Sequence, residues 1–151
     1  IHQLKAQEGS HNGSPLITIT PRSDPDGRNK RIHVIHTGDV RATSKGVIID
    51  SWPLSDVEDQ WIQVRTEMHY THHGTFAIRM TRVSDGEVLV DKEFKDIDLW
   101  REGAVNIRNK YGIYRSFGRK TENKHYRPAN GIKDEFLLLG DFGIYEPDPN
   151  K

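Results

Sequence analysis

The sequence predicts an all-β sandwich of two antiparallel sheets. Three observations lead there. Helical periodicity is scarce along the chain. Short segments of alternating apolar and polar residues recur instead. Turn signals, "HNGSP", "DPDGRN", "SDGE" and "PANG", fall between them.

The elements follow in order. Residues 1–6, "IHQLKA", alternate so that Gln3 and Lys5 share one face. Residues 16–20, 31–36 and 46–50 repeat the short alternation, and in 31–36 it sends His33 and His36 to opposite faces. Residues 61–70 put Ile62, Val64, Met68 and Tyr70 on one side and Gln63, Arg65, Glu67 and His69 on the other. Such a strand belongs to a sheet with one side open to water. Residues 75–82 and 87–92 flank "SDGE" and read as a hairpin. Residues 105–114 hide Ile107 and Ile113 and turn Arg108, Lys110, Gly112 and Tyr114 outward. A last strand is predicted over 135–145. Between these two, residues 118–133 form a long polar, basic loop, a length more often functional than idle.

Composition narrows the function. A chain of 151 residues suits a single domain over 1–151. Lys plus Arg and Asp plus Glu both number 22, so the strong positive field of a nucleic-acid binder is missing. No apolar run approaches membrane-spanning length. The absence of cysteine excludes disulfides, thiol catalysis and a cysteine zinc site. The chain opens without Met on what reads as the middle of a strand, so a longer N-terminal part is expected to precede it.

An open face bearing Gln, Lys, Arg and Tyr suits an anionic sugar polymer. Amide and guanidinium groups pair with carboxylates, and a tyrosine ring can lie against a sugar. The same residue types can carry out β-elimination at a uronic acid. One group neutralises the carboxylate and its enolate-like intermediate, a base takes the neighbouring proton, and an acid protonates the leaving glycosidic oxygen. Tyrosine and lysine serve as base or acid when burial or nearby cations lower their pKa.

These residues also carry a resemblance. "NKYGIYRS" resembles the Lys-x-Gly-x-Tyr strand of the concanavalin-like β-jelly-roll polysaccharide lyases, among them alginate, glucuronan, ulvan and heparin lyase I type enzymes. "IHQLK" is similar to their Gln-x-His strand, "DQWIQVRTEMHYTHHGTFAIRM" to a central strand pair, and "DEFLLLGDFGIY" to the closing strand. The resemblance implies a secreted enzyme, extracellular or periplasmic, that cuts a uronate glycan, with this chain as the C-terminal two-thirds of a larger domain. It implies that Tyr114 and Lys5 are catalytic and that Gln3 neutralises the uronate carboxylate. Lys5 stands where alginate lyases have histidine, a departure from the alginate pattern that elimination tolerates. Arg108, Lys110, Tyr126 and Arg127 are the expected substrate contacts. No cofactor is required, although a structural calcium held partly by Asp141 is compatible with the family. The expected partner is an anionic polysaccharide, not nucleic acid or a membrane.

Competing readings stay open. A carbohydrate-binding module would use the same cations and aromatics without an acid and base. A glycoside hydrolase would need two facing carboxylates, and "DKEFKDID" lacks the alternation to supply them. "HYTHH" at 69–73 reads as a histidine-rich surface turn, not a metal site, because no second ligand cluster stands at a fixed spacing. "DPDGRN" lacks the later carboxylate of a calcium loop and reads as a turn. "NGS" at 12–14 is a weak glycosylation pattern.

Overall fold

A computed structural model describes residues 1–24, 28–38, 46–113 and 136–146. The chain divides into two compact units, Ile1–Tyr111 and Gly112–Lys151.

Among the described residues, the first unit has eight strands: β1 (His2–Gln7), β2 (Ile17–Arg22), β3 (Arg31–His36), β4 (Val47–Pro53), β5 (Ile62–His69), β6 (Gly74–Arg82), β7 (Val88–Ile97) and β8 (Asn106–Tyr111). They form a five-stranded sheet in the order β4-β3-β2-β1-β8 and a three-stranded sheet in the order β5-β6-β7. Every pairing is antiparallel. The predicted two-sheet sandwich is therefore the observed architecture.

The alternation explains how the sheets meet. His2, Leu4 and Ala6 of β1, Ile17 and Ile19 of β2, and Ile32 and Val34 of β3 are all buried, while the residues that alternate with them within each strand are not. From the other sheet, Phe76, Ile78 and Met80 of β6 and Val90 of β7 are buried with them. These side chains, with Leu16, Trp52 and Leu99, make one hydrophobic core. A period of two can bury only one side of each strand, so the opposite side is left for water.

Turns set the strand ends. Arg82 N donates to Glu87 O at 2.8 Å and Gly86 N to Arg82 O at 2.9 Å, closing the hairpin read from "SDGE". Gly86 takes φ +75, the left-handed region that glycine enters freely. Gly9 also has positive φ, and a Cβ there would lie 2.6 Å from the Glu102 carbonyl oxygen, so the return of the chain after β1 requires glycine. Pro21 sits in β2 beyond the last β1 partner, Ile19, where the strand has no neighbour on that side to receive a donor.

Two sequence expectations differ from the structure. The strand expected over 105–114 ends at Tyr111, because Gly112 takes φ +134 and leaves the extended conformation. Tyr114 lies outside the described residues. In the second unit, residues 136–146 form no strand, against the expectation for 135–145. Asp141 takes φ +54 between Gly140 and Phe142, which breaks the extended run. Phe136, Leu138, Ile144 and Tyr145 of this segment are exposed. An apolar run becomes a strand only when an edge accepts its backbone groups. Among the described residues, no helix is long and apolar enough to cross a membrane.

Among the described residues, one histidine is buried. His2 is buried, stacks on Tyr111 with ring centroids 4.6 Å apart, and places Nε2 3.0 Å from Asn109 Oδ1. Burial pushes its pKa below 6.5, the Asn109 bond opposing in part. Below 6.5 the unfolded chain therefore binds a proton at this site more readily than the folded one, and stability is lost as pH falls through that value. The His2 ring should titrate by NMR with a midpoint below 6.5; a midpoint above it would mean the ring is not desolvated. Leu4→Ala, at a position with no solvent exposure, should cost about 2–5 kcal/mol in urea unfolding. A loss near zero would place Leu4 outside the core.

Candidate functional site

Residues directly opposite in an antiparallel ladder point to the same side, with Cβ atoms about 5 Å apart. In the β1–β8 ladder, Gln3 faces Lys110 and Lys5 faces Arg108. In the β1–β2 ladder, Gln3 also faces Thr18. Leu4, between Gln3 and Lys5, points to the core. Gln3, Lys5, Arg108 and Lys110 therefore share the outer face of the five-stranded sheet. Gln3 and Lys5 are half-buried by their neighbours, and Arg108 and Lys110 are exposed.

The same face continues across β2 and β3. Thr20 opposes His33, and Arg22 opposes Arg31. Arg31 Nε donates to Ser51 Oγ at 2.7 Å and Nη2 to Ser51 O at 2.8 Å, which fixes the guanidinium against β4. Burial, with Arg22 and Arg31 alongside, lowers the His33 pKa, while Asp24 pulls the other way. Arg22 and Arg31 were not singled out from the sequence. Their parity within each strand is legible, but only the register shows that the two strands bring them together.

The charges on this face are one-sided. The five strands contain Lys5, Arg22, Arg31, Arg108 and Lys110 against a single acid, Asp50. Asp50 stands opposite Val34, and its Oδ1 accepts from Ser51 N at 2.7 Å. The outer face of the three-stranded sheet is different. There Arg65 pairs with Glu67 at 2.8 Å, Arg79 with Asp91 at 3.5 Å, and Lys95 with Glu93 at 3.1 Å. A chain of zero net charge thus has one neutralised face and one cationic face. Such a face attracts anions and offers them charge-assisted hydrogen bonds.

Tyr111 and Tyr114 are separated by this geometry. Tyr111 lies on the inner side, stacked on His2, and burial raises its pKa. It is not on the open face. Tyr114, Tyr126 and Arg127, the remaining site candidates, lie outside the described residues.

The histidine-rich segment is a turn between β5 and β6. His72 Nδ1 lies 2.9 Å from Asp98 Oδ1 and His73 Nδ1 lies 2.7 Å from Asp96 Oδ1. His36, on the opposite side of β3 from His33, places Nε2 2.7 Å from the Asp98 carbonyl oxygen. Among the described residues, no group of three or more His, Asp or Glu side chains could hold a metal ion.

No protein-family model, curated protein or solved structure matches the chain.

The Lys5–Arg108 opposition has a cost. Like charges directly across a ladder are destabilising by about 0.2–1 kcal/mol. Arg108→Gln should therefore raise stability slightly in urea unfolding at low salt, and the gain should shrink as salt screens the repulsion. A clear loss of stability would mean that Arg108 is held by favourable contacts instead.

Proposed function

We propose that the protein is a polysaccharide lyase that cleaves a uronic-acid-containing glycan by β-elimination. The observation that carries this reading is the register that sets Gln3 and Lys5 beside Lys110 and Arg108 on an open, cationic face. Three chemical tasks must be met around one sugar, and this face supplies suitable groups within a few ångströms of each other.

The Gln3 amide donates to the substrate carboxylate, and Lys110 and Arg108 add positive charge beside it. Together they stabilise the charge that builds on the carboxylate as the adjacent C5–H bond breaks. A base removes the C5 proton. The electron pair forms the C4–C5 double bond, the C4–O bond breaks, and an acid protonates the departing oxygen. Lys5 and Tyr114 are the candidates for base and acid. Tyr114 follows β8 by three residues and carries the resemblance to the lyase Lys-x-Gly-x-Tyr strand. Acting on a polymer, such an enzyme would work outside the cell.

The binding-module reading uses the same face and differs only in lacking proton transfer. The deciding measurement is the ultraviolet absorbance of unsaturated uronates when the protein is incubated with alginate, polyglucuronate, ulvan or heparin. Tyr114→Phe should lower the rate by about 10²–10⁴-fold while polymer binding persists. Lys5→Ala should be as damaging if lysine is the base, and Gln3→Ala less so, because it moves no proton. Unchanged activity in Tyr114→Phe would remove tyrosine from the chemistry. Binding without any unsaturated product in the unaltered protein would favour the module.

A further inference from the structure

The cationic face extends well beyond the residues assigned to chemistry. We propose that Arg22, Arg31 and His33 form a second anion-binding cluster, which takes another acidic group of the same polysaccharide several sugar units away. The proposal takes its polymer from the lyase reading; the cluster itself rests on the register.

The geometry is a diagonal. Taking the row of Lys5 and Arg108 as origin, Gln3, Lys110 and Thr18 lie two residues along the strands, Thr20, His33 and Ser51 four, and Arg22 and Arg31 six. At a rise of about 3.4 Å per residue the two clusters are ~20 Å apart along the strands. At about 4.8 Å between strands they are also ~10 Å apart across the sheet. No small ligand touches both. An extended polymer does, and the path between them is lined by Gln3, Thr18 and Thr20, uncharged groups that can bond sugar hydroxyls.

The second cluster is built for an anion. Arg22 and Arg31 oppose each other directly, at a cost that a bound negative group would offset. Ser51 holds two edges of the Arg31 guanidinium and leaves Nη1 without a protein bond among the described residues, so the donor is preset. Among the described residues one carboxylate influences the cluster, Asp24, and Asn29 Nδ2 donates to it at 2.5 Å. The strand residues of this face include no Phe, Tyr or Trp among those described. The described strands of this face therefore offer no base-stacking platform for a single-stranded nucleic acid, while their amide and hydroxyl groups suit a sugar polymer.

The test is binding of the full chain to fluorescently labelled polyglucuronate, long chains and disaccharide compared, with heparin to add sulfate groups and a single-stranded polynucleotide as the competing polyanion. Arg22→Gln is the main variant, because Arg22 is exposed and its side chain makes no hydrogen bond or ion pair among the described residues; Arg31→Gln is the second. Each should weaken long-chain binding by about two- to fivefold, the worth of an exposed ion pair, and flatten its salt dependence. Disaccharide binding should not change. Lys5→Gln should weaken both ligands. Heparin weakened more than polyglucuronate by Arg22→Gln would support the cluster and assign it to sulfate. Long-chain binding unchanged in both arginine variants overturns the proposal, as does equal weakening of the disaccharide. So does a polynucleotide that binds more tightly than either polysaccharide through the same arginines. If the binding pattern holds but no unsaturated product forms, the cluster stands and the lyase reading falls.

Discussion

The structure depends on the position of β1 as a strand hydrogen-bonded on both sides. β2 and β8 flank it, so its backbone groups are taken up in two ladders and its side chains can only point in or out. The inward set, His2, Leu4 and Ala6, enters the core against the smaller sheet. The outward set, Gln3, Lys5 and Gln7, is thereby committed to the open face. A slip of one residue would bury Lys5 and expose Leu4, each strongly unfavourable. Core packing and site geometry are thus one constraint: the burial of Leu4 holds its two neighbours in place.

Electrostatics then distinguishes the two outer faces. Equal numbers of acids and bases leave the chain neutral. Distribution matters more than the total. On the three-stranded sheet Arg65 also opposes Arg79, but each has an acid partner within a short distance, as does Lys95, which makes that face self-sufficient. On the five-stranded sheet, Lys5 opposes Arg108 and Arg22 opposes Arg31 with no acid interleaved in the rows. Repulsion of this kind is small beside the burial of the core, so the fold tolerates it. A negatively charged ligand would supply the missing charge, and that is the physical basis of both functional proposals.

The two tyrosines of "KYGIY" illustrate how narrowly chemistry and packing are divided. Tyr111 ends β8 on the inner side, where it stacks on His2 and supports the buried end of β1. Gly112, at φ +134, then turns the backbone out of the ladder. A residue with a Cβ would resist that conformation. The glycine therefore marks the point where the β1–β8 ladder ends.

The sequence by itself determined the sandwich, because a period of two with turns at regular intervals admits few other folds. It also determined that Gln3 and Lys5 share a face, that Arg108 and Lys110 share one, and that His33 and His36 do not, since parity within a strand needs no tertiary information. It misjudged residues 135–145 because alternation shows which side would be buried but not whether an edge is there to pair with. What only the tertiary structure decided was which strands lie side by side. Register brought Lys5 to Arg108 and Arg22 to Arg31 across separations in sequence that no local pattern encodes. Ladder pairing is a long-range choice, made by the fit of all the buried side chains at once, and the cationic face exists only after that choice is made.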